Sequence, residues 1–290
     1  MVTAVRTRIA AALTTAITAG LALAAATPAQ ATPSLSPYVA MGDSYSAGSG
    51  ILPPDLTVTP ACARTTRNYP NLIADALGVE SFTDVTCANA KTQDFYGKQY
   101  PSLIPQLDAV TADTKLVTLT IGGNNNDTLI KVISSCITAG TATAGFGSPC
   151  KTLYGDKFTD DISNKTYPDV KKALTDIHAK APSAKVVILA YPQVMPEDNS
   201  NCFLTMPIAK GDVPYINNIQ DTLNGVVKRA ADETGTTFVD MQSSIGHDAC
   251  KPIGTRWVEP AVWGTNFVPI HPNALGMEKM AGQALAAIGG

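Results

Sequence analysis

The chain has 290 residues, 16% of them charged and 45% hydrophobic, with a formal net charge of −3. Charge is sparse against the roughly 25% of an average soluble protein, but the apolar content excludes intrinsic disorder. A nucleic-acid binder needs a basic face; the nearest thing to one is Lys171-Lys172, in a segment that also carries Asp169 and Asp176.

Residues 1–31 read as an export signal. Arg6 and Arg8 precede an uncharged apolar stretch from Ile9 to Ala26, and Ala29-Gln30-Ala31 has the small-x-small form that signal peptidase recognises. No later uncharged apolar run approaches the roughly 20 residues needed to span a bilayer. Cleavage after Ala31 leaves 290 − 31 = 259 residues, enough for one domain, 32–290, and losing two arginines shifts the charge from −3 to −5. The expected product is a secreted protein without stable membrane insertion, and a monomer.

Elements then follow in alternation. Tyr38-Val39-Ala40-Met41 reads as a first strand. Asn68 caps a helix that runs to about Leu77, with Pro70 in the first turn, where a missing N–H costs least, and Gly78 as its stop. Strands are expected at Phe82–Thr86, Leu116–Ile121, Lys185–Ala190 and Thr236–Asp240. Helices are expected at Asp127–Ile137, Tyr167–Ala181, Pro214–Thr234 and Pro272–Ala287. Continuous apolar strands between helices imply a parallel sheet buried on both faces. The expected fold is a three-layer α/β/α sandwich with a parallel sheet of about five strands, flavodoxin-like. Two long irregular stretches, Tyr191–Val213 and Met241–Ile270, are of the kind that carries function.

Cys62, Cys87, Cys136, Cys150, Cys202 and Cys250 all follow the signal, an even number with no CxxC pair. Export favours disulfides. Six cysteines allow 15 connectivities; sequential pairing, 62–87, 136–150 and 202–250, is favoured because each bridge closes a local loop, for on the order of 3 kcal/mol each.

Ligands of open α/β sheets sit at the carboxyl ends of the strands. Those ends read Gly42-Asp43-Ser44-Tyr45-Ser46, Cys87-Ala88-Asn89-Ala90 and Gly122-Gly123-Asn124-Asn125-Asn126-Asp127, with His271-Pro272-Asn273 before the last helix. A serine needs a base to become a nucleophile, and a tetrahedral intermediate needs N–H donors. No HExxH, EF-hand, GxGxxG, Walker or GxSxG pattern is present.

GDSYSAG near the mature start, IGGN after a strand and HPNALG near the end, in that order, resemble the GDSL/SGNH hydrolases, and among them the secreted three-disulfide esterases and lipases of actinobacteria. The stretches around Gly246–Cys250 and Trp257-Val258-Glu259-Pro260, and the cysteine spacing, are similar as well. The resemblance implies a carboxylic ester hydrolase acting on acyl esters or lipids without metal or cofactor. It makes Ser44 the nucleophile, His271 the base and Asn124 an oxyanion donor, joined by the Ser44 N–H. Two departures stand out. Asn89 occupies a place where the family usually has glycine; its backbone N–H survives the change, and asparagine tolerates positive φ. Val268 stands where many members have an aspartate, so a Ser-His dyad is expected, oriented by the Val268 carbonyl, which can fix the tautomer without adding charge. An acyltransferase using the same acyl-serine, or an inactive binding protein on this scaffold, is the alternative. His178 and His247 are expected in structural places, Asp43 as a partner of turn backbone, and Asp127 as a helix cap. Trp257 and Trp263 fit an acyl-chain wall or plain loop packing equally.

Overall fold

The computed structural model of the chain describes residues 35–289. The expected export signal lies outside them. Along the described chain run β1 (Tyr38–Gly42), α1 (Ser44–Ala47), α2 (Tyr69–Leu77), β2 (Phe82–Asp84), β3 (Leu116–Thr120), α3 (Leu129–Ala142), α4 (Pro149–Tyr154), α5 (Lys157–Asp161), α6 (Tyr167–Lys180), β4 (Lys185–Leu189), α7 (Val213–Thr234), β5 (Thr237–Val239) and α8 (Ala274–Gly289). The strands form one parallel sheet in the order β2-β1-β3-β4-β5. This is the α/β fold expected from the alternation.

Successive side chains of a strand point to opposite faces, and here each face has its own core. Val39, Met41, Val117, Leu119, Val186 and Ile188 pack on α3, α6 and α7. Tyr38, Ala40, Leu116, Val187 and Leu189 pack on α2 and α8. Buried on both sides, the strands have no polar alternation. The sheet is thereby a rigid base from which the loops at the strand ends project.

Several boundaries differ from the sequence reading. β2 stops at Asp84 because the Asp84 carboxylate accepts from the Thr86 N–H at 2.9 Å and hydroxyl at 2.6 Å, closing a turn. The helix expected from Asp127 starts at Leu129, since Asn126 and Asp127 have φ of +53° and +59°. Asp127 does not cap it; its carboxylate pairs instead with Lys131 at 2.6 Å and Lys91 at 3.4 Å. α4, α5 and a π turn at Ile162–Thr166 precede α6.

All six cysteines pair in sequence order, Cys62–Cys87, Cys136–Cys150 and Cys202–Cys250. The third bridge ties the loop after β4 to the loop after β5.

Candidate active site

The turn after β1 is built on glycine and aspartate. Gly42 has φ +117°, and a Cβ there would lie 2.3 Å from the Thr120 carbonyl oxygen of β3, so a side chain would push the two strands apart. Asp43 then caps α1, accepting from the Tyr45 N–H at 3.0 Å, which sets Ser44 as the first helical residue. Gly48, left-handed at φ +68°, ends the helix.

Asp43 is fully buried. Besides the Tyr45 N–H it accepts from the Thr120 hydroxyl at 2.8 Å and from the Tyr191 hydroxyl. Burial raises its carboxyl to about 6, the hydrogen bonds from Tyr191, Thr120 and the backbone opposing that rise. As expected, Asp43 serves the turn rather than the imidazole.

Ser44 and His271, 227 residues apart, meet: Oγ lies 2.7 Å from Nε2. On its other side the ring contacts the Pro269 carbonyl, at 2.8 Å from Nδ1. A carbonyl oxygen only accepts, so Nδ1 carries the proton and Nε2 is left to accept from Ser44. The orienting carbonyl is therefore that of Pro269, not of Val268. The reason is local. Ile270 adopts φ +62°, a turn that brings the Pro269 carbonyl, two residues back, against the ring. Among the described residues no carboxylate is hydrogen-bonded to the ring.

His271 is buried, and burial lowers its imidazole to about 4, the Pro269 carbonyl pulling weakly the other way. The ring is neutral at pH 7 and able to take a proton.

The loop holding His271 is fixed by residues the sequence reading did not single out for this role. The Tyr45 hydroxyl donates to the Ile270 carbonyl at 2.7 Å, and its ring sits 5.2 Å from the His271 ring. Glu259 pairs its backbone with the same segment: its N–H donates to the His271 carbonyl at 2.9 Å, and its carbonyl accepts from Ile270 at 3.0 Å. Its buried carboxylate accepts from Arg256, the Thr265 N–H and hydroxyl, and Asn273, at 2.6 to 2.9 Å. Burial alone would raise this carboxyl; Arg256 and the other donors outweigh it and hold it below the usual range. Glu259 lies in the WVEP stretch, the one signal that could have marked it.

The other two turns are stitched to the first. The Gly42 carbonyl accepts from Cys87 at 3.1 Å. Tyr191 donates to Asp43 and accepts from the Gly123 N–H at 2.8 Å, linking the serine turn to the glycine turn. The Asn124 amide donates to the Ala90 carbonyl at 3.1 Å, which leaves its second N–H. Asn89 has φ +64°, the left-handed region that its residue type tolerates. Among the described residues nothing accepts from the backbone N–H of Ser44 or of Asn89. Gln99 donates to the Ala88 carbonyl at 2.7 Å, on the far side of the peptide that carries the Asn89 N–H.

A cavity of about 320 Å³ is lined by Asn89, Gly123 and Asn124 with Lys91, Asp127, Ile130 and Lys131. A larger one, about 640 Å³, opens between α7 and the ends of β4 and β5 and includes neither Ser44 nor His271.

The remaining candidates are structural. His247 Nδ1 donates to the Thr255 carbonyl at 2.6 Å and the ring stacks on Trp257 at 4.7 Å, which makes Trp257 a loop-packing residue. His178 bonds the Thr236 hydroxyl. Trp263 is exposed. Among the described residues no cluster of His, Cys, Asp or Glu is arranged to hold a metal ion.

Residues 40–279 match the GDSL-like lipase/acylhydrolase family. The chain belongs to that family. It is 53% identical to Lipase 2 of Streptomyces coelicolor over 270 residues, 92% of this chain and 90% of that one. Its fold is similar to the crystal structure of phospholipase A1 from Streptomyces albidoflavus, with TM-score 0.71, 30% identity, and coverage of 86% and 98% of the two chains. It is also similar to the extracellular lipase of Streptomyces rimosus, with TM-score 0.69, 28% identity, and coverage of 86% and 98%. Kinship of this extent makes the chain an ester hydrolase, in agreement with a serine and a neutral imidazole in hydrogen-bond contact.

Proposed function

We propose that the chain is an exported lipase or esterase that works through a Ser44–His271 dyad. Ser44 Oγ attacks the ester carbonyl as His271 Nε2 takes its proton, and the carbonyl π pair moves onto the oxygen. The N–H groups of Ser44 and Asn89 and the Asn124 side chain hold that oxyanion. Collapse expels the alkoxide, which leaves as alcohol with the proton from His271. Water, deprotonated by the same imidazole, then releases the acid and restores Ser44. Nothing in this sequence of steps calls for a metal or cofactor.

The 2.7 Å contact between Ser44 and His271, with Nδ1 turned to a carbonyl, carries the reading. Burial opposes formation of an imidazolium, and among the described residues no carboxylate is hydrogen-bonded to the ring to offset it. The oxyanion formed beside the ring in the same step supplies the opposite charge, and in a dry site that attraction is strong. The two unaccepted N–H groups and the spare Asn124 N–H are donors of the right kind for it.

A panel of p-nitrophenyl esters from acetate to palmitate, run with an acceptor alcohol present, tests the proposal. Wild type releases free acid, and Ser44→Ala and His271→Ala each fall by at least about a thousandfold. A fluorophosphonate labels wild type stoichiometrically and leaves Ser44→Ala untouched. Unchanged rates in either variant would overturn the mechanism, and a transferred acyl product would reassign it to acyl transfer.

A further inference from the structure

The strand that delivers Ser44 loses a neighbour just before the turn. β1 pairs with β2 only as far as Ala40 opposite Asp84, whereas on its other edge it pairs with β3 up to Gly42 opposite Thr120. On the β2 side a side chain takes over the backbone of Gly42. Gln106 Oε1 accepts from the Gly42 N–H at 2.7 Å, and Gln106 Nε2 donates to the Gly42 carbonyl at 3.0 Å. A primary amide carries the donor and acceptor of a peptide group, so Gln106 acts as the strand residue that β2 does not supply.

Gln106 is itself held in place. It is buried and opens a short 3-10 turn, Gln106–Ala109, which Lys180 of α6 anchors by donating to the Leu107 carbonyl at 2.7 Å. Its hydrogen bonds to Gly42 reach neither Ser44 nor His271 directly. The Gly42 carbonyl that it holds also accepts from the Cys87 N–H at 3.1 Å. Gly42 lies two residues before Ser44, and Cys87 two before Asn89. One carbonyl therefore ties the serine turn to the Asn89 turn, and Gln106 grips the residue that carries it.

We propose that Gln106 is a positioning residue for the oxyanion hole: through Gly42 it sets the spacing between the Ser44 and Asn89 N–H groups. The inference rests on the hydrolytic reading of Ser44 and His271. Its signature is a loss felt in the transition state and not in substrate binding, because the oxyanion donors act most strongly on charge that the ground-state ester does not yet carry.

The test compares wild type, Gln106→Met and Gln106→Glu on a soluble short-chain ester, with the product acid measured by chromatography. Gln106→Met fills the space but cannot bond both groups of Gly42. Its kcat should fall about ten- to a hundredfold with KM little changed. Affinity for an alkylboronic acid, whose tetrahedral adduct on Ser44 places an oxygen in the oxyanion hole, should weaken by a similar factor. Gln106→Glu separates placement from packing. As an acid, its O–H donates to the Gly42 carbonyl and its C=O accepts from the Gly42 N–H, repeating the amide; ionised, it sets an oxygen against that carbonyl. Burial opposes ionisation, as do Asp84 and Asp94 on the same cavity wall, while Arg64 there favours it. Relative to wild type at each pH, kcat of Gln106→Glu should recover about tenfold as pH falls from 8 to 5, and that of Gln106→Met should stay low throughout. Melting curves at both pH values check folding, and Gln106→Glu alone decides the matter if Gln106→Met does not fold. Wild-type kcat in a folded Gln106→Met, a loss carried by KM alone, or a Gln106→Glu to wild-type ratio that ignores pH would each overturn the proposal. Ser44→Ala, assayed alongside, reports on the hydrolytic reading: an inactive Ser44→Ala beside a fully active Gln106→Met sinks the positioning role alone, and an active Ser44→Ala sinks both.

Discussion

Lowering the pH is the perturbation that most directly probes the buried imidazole. An ordinary histidine, near 6.5, is about nine-tenths neutral at pH 7.5 and about one-eleventh neutral at pH 5.5, so kcat/KM would fall about tenfold between them. Burial brings His271 to about 4, and such a ring is still more than about nine-tenths neutral at pH 5.5. The kcat/KM for an uncharged soluble ester should therefore stay nearly flat from pH 7.5 to 5.5 and halve near 4. Asp43 titrates at about 6, but it touches Tyr45, Thr120 and Tyr191 rather than the reacting atoms; an inflection that vanishes in Asp43→Asn belongs to it. An acid limb centred between 6 and 7 in both proteins would refute the desolvation argument. Stability follows the same shift. The unfolded chain binds the His271 proton below about 6.5 and the folded one only below about 4, so this stabilisation is full above 6.5 and is lost as pH falls to 4, about 3 kcal/mol in all. Asp43 runs the other way: its folded value is raised from 3.8 to about 6, so its contribution is full below 3.8 and is lost as pH rises through 6. Between pH 7 and 4.5 the difference in unfolding free energy between wild type and His271→Gln should shift by about 2 to 3 kcal/mol, which urea melts will read.

The turns around the serine give further expectations. Asn89→Gly keeps the N–H at φ +64° and should keep activity within about a factor of three, whereas Asn89→Val, with a branched Cβ in the left-handed region, should lose about a hundredfold in kcat, checked by steady-state kinetics with a melting curve for folding. Gln99→Leu frees the Ala88–Asn89 peptide; we expect kcat to drop about tenfold with KM little changed, and a loss in melting temperature alone would assign Gln99 a purely structural place. Glu259→Gln leaves Arg256 buried without its carboxylate and should cost about 3 kcal/mol, read by urea unfolding at pH 7.

Much of this was legible in the sequence because the signals are local. Apolar runs such as Lys185–Leu189, bounded by turns, mark a strand whatever surrounds it. Asn68, Pro70 and Gly78 announce α2 by chemistry confined to its ends. GDSY, IGGN and HPN point to Ser44, Asn124 and His271 because each motif is written in consecutive residues. What escaped depends on contacts across the fold. Tyr191 bridges Asp43 and Gly123 from the end of β4, and no spacing in the chain relates the three. Glu259 becomes a hub only when 256–273 fold back on themselves. Choosing Val268 as the orienting carbonyl followed the place of a missing aspartate, but a backbone acceptor is selected by the turn at Ile270, which no residue type announces. The short α4 and α5 lack a long amphipathic period to read.

The serine of the reacting pair leaves the ribosome among the first residues of the domain, and the histidine among the last. Until translation nears its end the polypeptide holds an inert hydroxyl with no base to activate it. A chain stalled early, or clipped ahead of residue 271, lacks the imidazole that meets Ser44 and should be silent toward esters.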